Sequence, residues 1–203
     1  MKKLITLLLL LSATTGLFAQ GLWTKMADFG GGPRIGAVTF SIGHYVYMGM
    51  GWSAPNTYVS DFWRWDQHTN TWSQIASLPG MSRISGLAFV IGDTAYVGFG
   101  QNGANILGDL YAYDTTTNTW SARASLSAYP RLAPFVFVVN NKAYIGTGSQ
   151  GGTPYLQDLW EFDPTVNTWT QKANFPGGMR SGTIGFSEGN YGYAGCGYDG
   201  TNV

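Results

Sequence analysis

The stretch DFWRWDQHTNTW, Asp61 to Trp72, recurs with variation as DLYAYDTTTNTW (Asp109 to Trp120) and as DLWEFDPTVNTW (Asp158 to Trp169). Each copy has a leading Asp, an alternation rich in aromatic side chains, a second Asp and a closing Asn-Thr-Trp. A further Trp stands at position 23, and the four Trp residues are spaced 49, 48 and 49 apart. Self-similarity at a period near 50 marks a repeat architecture in which one supersecondary unit stacks on the next.

Counting forward from Trp23, Trp72, Trp120 and Trp169 aligns further rows. Four residues on stand Ala27, Ala76, Ala124 and Ala173, and eleven on stand Arg34, Arg83, Arg131 and Arg180. Next come Tyr47, Tyr96, Tyr144 and Tyr193, each followed by a Gly-x-Gly: Gly49/Gly51, Gly98/Gly100, Gly146/Gly148 and Gly195/Gly197. The distance from each leading Asp to its Trp is constant, so the one-residue variation in period lies between the second Gly and the Asp. That segment is a loop tolerant of insertion, and the rest is framework.

Each copy reads as four short strands. Strand a (IGAVTFSI, GLAFVI, APFVFVV, GTIGFSE) turns tightly through GH, GD, NN or GN into strand b (YVYMGMG, AYVGFG, AYIGTG, YGYAGCG). Gly and Asn tolerate the positive φ of such hairpin turns. Strand c is the Asp-aromatic segment, and strand d starts at Thr-Trp. The mature chain shows no sustained helical periodicity, so essentially no helix is expected. A four-stranded meander has two apolar faces and cannot bury both alone; radial stacking of such sheets makes a β-propeller.

Composition agrees. Eleven Lys and Arg balance eleven Asp and Glu, with no basic patch, which argues against nucleic acid as partner. Gly (29), Tyr (12) and Trp (8) are abundant, as short strands and tight turns require. Residues 1–19 carry Lys2, Lys3, the apolar run Leu4 to Leu11 and a small residue at Ala19, the pattern of a removable secretory signal. The run falls short of the roughly 20 residues a membrane span needs. The expected location is periplasmic or extracellular, including the cell surface, with no membrane span. Cys196 alone forms no intramolecular disulfide, and its place in strand b predicts a small buried hydrophobe.

The pattern resembles the kelch repeat. The residues that carry the resemblance are the Arg row, the Tyr and Gly pairs of strand b, and Asn-Thr-Trp at 70–72, 118–120 and 167–169. It spans nearly the whole of residues 20–203, with repeats near 34–72, 83–120, 131–169 and 180–203, and with 21–29 as an N-terminal strand d. The family has adjacent Gly-Gly where this chain has Gly-x-Gly, which alters the exit from strand b. The resemblance implies an all-β kelch-type propeller. No fourth Asp-aromatic segment follows Tyr193, so about three and a half blades are expected, as an incomplete ring or open arc.

Rows present in every blade support every blade. The Trp row is expected to pack between sheets, and the Arg row to tether strand a by hydrogen bonds. The three leading Asp residues read as structural for the same reason. A ligand would sit where the blades differ, in the b–c loops (52–60, 101–108, 149–157 and the stretch beginning Tyr198) and the neighbouring d–a loops. The candidate binding residues there are Trp52, Tyr58, Asn102, Asn105, Tyr155, Tyr198 and Asp199. Aromatic planes beside amide and carboxylate groups suit a protein or a glycan.

No catalytic residue, metal site or cofactor is expected. Copper oxidases related to galactose oxidase use kelch-like propellers, but His44 and His68 with Cys196 do not make their ligand set. The first reading is a secreted, non-catalytic binding or scaffold module. The alternative is a fragment of a kelch-type carbohydrate-active enzyme, resembling a sialic-acid epimerase or, less closely, galactose oxidase.

Overall fold

The computed structural model describes residues 23–202, which form β-strands and turns without helix. Residues 1–19, expected to be a secretory signal, lie outside the described residues. Blade 1 comprises strands a Val38–Ile42, b Tyr45–Gly49, c Phe62–Asp66 and d Thr71–Ile75. Blade 2 comprises Leu87–Ile91, Thr94–Gly98, Leu110–Asp114 and Thr119–Arg123. Blade 3 comprises Phe135–Val139, Lys142–Gly146, Leu159–Asp163 and Thr168–Lys172. A last sheet has strands a Ile184–Glu188 and b Tyr191–Gly195. Each complete blade is an antiparallel meander in the order a-b-c-d. The a strands of successive blades touch one another, so they line the axis of the arc.

Alternation gives every sheet two faces. One face of blade 1 presents Val38, Phe40, Tyr47 and Phe62 to Ala95, Val97 and Tyr113 of blade 2. Blade 2 in turn presents Leu87, Phe89, Tyr96 and Leu110 to Ala143, Ile145 and Phe162 of blade 3. The forward face carries a cross-strand Phe–Tyr stack in every repeat: Phe40–Tyr47, Phe89–Tyr96, Phe137–Tyr144 and Phe186–Tyr193, with ring centroids 4.8–5.2 Å apart. The last sheet has no blade on its forward face among the described residues, and there Ile184, Phe186, Tyr191 and Tyr193 are exposed. The arc is open.

The Asn-Thr-Trp motif joins blade to blade. The Trp72 indole donates to the carbonyl of Ala27, Trp120 to Ala76 and Trp169 to Ala124, at 2.7–3.2 Å. The Asn two residues earlier accepts from the N–H of the same alanine, at 2.9 Å in each case. Asn70, Asn118 and Asn167 have φ near +54°, a conformation Asn tolerates better than most residues. Ring packing completes the joint, as where Trp120 lies 5.0 Å from Phe62 and 4.8 Å from Tyr113.

Two expectations need correction. The part of 21–29 that is described, Trp23 to Phe29, forms no strand, and Trp23 is fully exposed. No described strand c lies beside it to complete a ladder. Even so, Ala27 is clamped from blade 1, and Phe29 meets Trp72 edge-on at 4.9 Å. Cys196 lies one residue past strand b and is exposed, whereas Met50, Phe99 and Thr147 at the same place are fully buried under the following blade.

The division between framework and loop predicts unequal costs. Trp120→Ala removes a half-buried ring and an inter-blade hydrogen bond, and should cost about 3–5 kcal/mol. Trp52→Ala, in a single loop, should cost about 1 kcal/mol or less. Paired thermal melts check this; equal losses would reject the division.

Candidate functional site

The b–c and d–a loops meet at one end of the arc, above a row of buried ion pairs. Arg34 makes two bonds to Asp61 (2.8 and 3.0 Å) and Arg131 two to Asp158 (2.9 and 2.7 Å). Arg83 pairs with Asp109 in the same bidentate manner. The Arg83 and Arg131 side chains are wholly inaccessible to solvent. Each guanidinium also donates to the carbonyl of the residue between the two glycines: Met50, Phe99, Thr147 and, in the last repeat, Cys196. That residue has φ of 59–60° in all four repeats, so the departure from adjacent glycines puts a side chain into a left-handed position. The second glycine cannot carry one, since a Cβ on Gly148 would stand 2.6 Å from the Leu132 carbonyl.

Arg and Asp therefore lock three strand ends together, and the loops are free to vary above them. The b–c loops are more ordered than a loop reading predicts. In blade 1 they hold a hairpin of Trp52–Ser53 and Thr57–Tyr58, which pairs with Arg34–Ile35 of the d–a segment. Blade 2 has the hairpin Gln101–Asn102 and Asn105–Ile106, bridged to Ile84.

The seven candidate residues separate into two kinds. Trp52 and Tyr58 face each other across the first hairpin, and Trp52 lines a groove of about 330 Å³ with Pro33, Ile35 and Pro55. Tyr155 and Tyr198 meet at 5.9 Å between blade 3 and the last sheet. Tyr155 lines a second groove of about 300 Å³ with Tyr129, Pro154 and Met179. The other three candidates are engaged by hydrogen bonds to neighbouring loop groups. Asn102 donates to the Ser82 carbonyl at 2.6 Å, tying its hairpin to the d–a loop. Asn105 donates to the Asn102 carbonyl, and the Asp199 carboxylate accepts from Thr201 and Asn202 in a closed turn. Sequence reasoning missed Ile35, Met81, Tyr129 and Met179, all substantially exposed apolar residues of the d–a segments. Their signal was position: each lies within two residues of the Arg row, whose flanking residues vary around the arc.

His44 and His68 lie at the opposite end, on the a–b and c–d turns of blade 1, with rings 4.5 Å apart. Among the described residues no group of three or more His, Cys, Asp or Glu is placed to hold a metal ion. No described helix is long and apolar enough to cross a membrane.

Comparison with known proteins fits this geometry. The family described as Kelch motif matches residues 33–79, which run from the d–a segment through strand d of blade 1. The first repeat carries the kelch motif. The Arg–carbonyl contact recurs in all four copies and the Asp and Trp bonds in three, so the later repeats share the framework of the matched one. The structure of YjhT is similar, with a TM-score of 0.72 at 20% identity, over 81% of this chain and 59% of that chain. At this identity the likeness is one of fold, and this chain spans 59% of the length of that protein. Comparison with curated proteins finds no match.

The electrostatics of the ion-pair row are testable. Burial pushes the Asp61 and Asp158 carboxyls up, but hydrogen bonds from Arg34 with Trp63, and from Arg131 with Trp160, outweigh it and hold both below the usual range. Beside them in blade 3, burial likewise raises Glu161, and Lys142, Lys172 and Tyr144 bring it down from 4.5 to about 2. Depressed carboxyls stabilise the fold above their ordinary values, and that contribution is lost as pH falls through the depressed ones. Melting temperature should stay level above about pH 5 and drop steadily below about pH 4. Asp158→Asn should cost about 3–5 kcal/mol at neutral pH, because it strands the buried Arg131, and its deficit should shrink near pH 2. Melts across this range check both; a deficit independent of pH would contradict the assignment.

Proposed function

We propose that this chain is a secreted binding or scaffold module without chemistry of its own, which engages a protein or glycan through the b–c and d–a loops of one face. A kelch propeller framework supports a binding or scaffold role in general terms. The finer reading rests on one contrast. The Arg, Asp, Asn and Trp rows do the same work in blade after blade, while the aromatics above them differ from blade to blade. Trp52 with Tyr58 and Tyr155 with Tyr198 offer two separate aromatic surfaces. Planar rings stack on the apolar faces of sugars and equally anchor protein interfaces. The leading acids are bound to arginines and the second acids sit in turns, so they support a structural role better than acid–base work. The 1–19 segment supports export to the periplasm or the cell exterior.

The test uses the exported protein, whose first residue should be Gln20 by N-terminal sequencing. It is applied to a glycan array and to a panel of purified surface proteins. The expected result is binding that falls at least tenfold in a Trp52→Ala/Tyr155→Ala double variant with little change in melting temperature. Binding that survives the double variant, or a mature chain beginning at Met1, would overturn the reading.

A further inference from the structure

We propose that His44 and His68, on the a–b and c–d turns of blade 1, form an open binding site for a divalent transition-metal ion held between their two imidazoles. The site lies at the end of the arc opposite the loop face and does not rest on the reading given for that face.

The sequence holds two histidines, and the fold brings both to one place. His44 follows Gly43 in the a–b turn, and His68 stands in the c–d turn, two residues after strand c ends at Asp66. Pairing of Tyr45 with Asp66 sets the two turns side by side. Both histidines are exposed, and their ring centroids are 4.5 Å apart. A metal–nitrogen bond of about 2.0–2.1 Å puts each imidazole centroid about 3.2 Å from the ion, so two rings at roughly 90–110° have centroids about 4.5–5.2 Å apart. The observed separation lies at the short end of that range, within reach of a change in side-chain torsion.

The other blades show that these histidines have no structural task. Asp66 closes the c–d turn by accepting the N–H of His68 at 2.8 Å. Asp114 does the same for Thr116 at 2.8 Å, and Asp163 for Thr165 at 2.9 Å. The bond uses only the backbone of His68. In the place of His44 the other repeats have Asp93, Asn141 and Asn190. Their a–b hairpins close as that of blade 1 does, Ile91↔Thr94, Val139↔Lys142 and Glu188↔Tyr191 beside Ile42↔Tyr45. Two imidazoles meeting where the repeat requires neither point to a ligand.

The surroundings suit a cation. The Asp66 carboxyl is held below its usual range, first by the N–H of His68, then by that of Thr69 and by the two imidazoles. It therefore keeps a negative charge beside both rings. Tyr45 packs on the His44 ring at 3.9 Å and restricts its rotation, while its own ring carries the Arg64 guanidinium at 4.3 Å. Imidazole nitrogen selects late first-row ions, copper(II) above nickel(II) and zinc(II), over the calcium and magnesium that prefer oxygen. Two protein ligands leave coordination positions to water, as in an open site.

The test titrates the exported protein, free of any histidine tag, with copper(II) and zinc(II) by calorimetry at neutral pH. One ion should bind per chain with a dissociation constant in the micromolar range, copper more tightly than zinc, and magnesium should not bind. In NMR spectra, zinc should shift the ring signals of both histidines in parallel. His44→Asn and His68→Thr install residues that other repeats already hold at those places. Each variant should keep the metal-free melting temperature while its affinity falls at least tenfold. Zinc should raise the melting temperature of the wild type and leave that of the double variant unmoved, since the ion binds the folded state. A double variant that binds as tightly as the wild type, ring signals that move at different zinc concentrations, or magnesium binding equal to that of zinc would overturn the proposal.

Discussion

Each complete blade in this structure depends on a pair of bonds to what precedes it, the blade before for blades 2 and 3 and the Ala27 segment for blade 1. An indole N–H reaches a carbonyl 44 or 45 residues back in the chain, and an Asn oxygen takes the N–H of the same alanine. Ala76 and Ala124 follow the end of strand d, where the ladder runs out and their backbone polar groups need other partners. Satisfying both groups at once fixes the outer edge of one sheet against the next. A neutral hydrogen bond contributes only about 1 kcal/mol net, so the clamp works mainly by setting register for the packing beneath it. That packing is large: stacked Phe–Tyr pairs on one face meet small aliphatic residues and ring edges on the other. Stability in such an array is a sum of repeat and neighbour terms, and a sheet without a neighbour leaves its face exposed, as Phe186 and Tyr193 show.

The ion pairs solve a different problem. Strands a, b and c end together beneath the loop face, with backbone carbonyls that no ladder uses. A buried guanidinium satisfies several of them, and the Asp neutralises the charge that this would otherwise strand. Replacing Arg by Lys could not do both, because an ammonium lacks the flat fork. With the strand ends fixed in this way, loop sequences can change without disturbing the blades. Two hairpins and the exposed residues Ile35, Met81, Tyr129 and Met179 stand on that base.

The fold was legible because its signals are periodic. Trp, Arg, Tyr and glycine recur at fixed offsets, and strand alternation is clear within each copy. The site was less so. Asn102 and Asp199 resemble ligand-binding side chains in sequence, yet both are consumed by local backbone groups, which only three-dimensional placement reveals. The loop hairpins escaped because two-residue strands carry no alternation to read. Cys196 was misjudged because burial at that position comes from the following blade and not from its own sheet. The role of Asn in Asn-Thr-Trp was invisible for a related reason: its partner lies in the previous repeat.

The most direct test of the central claim is amide hydrogen exchange at Ala76 and Ala124 in the wild type and in Asn118→Ala. If the clamp joins blade to blade, the substitution accelerates exchange at Ala76, on the far side of the joint. Ala124, held by Asn167, and the ladder between strands b and c of blade 2 keep their protection. An unchanged rate at Ala76, or equal loss of protection at both alanines, would contradict it.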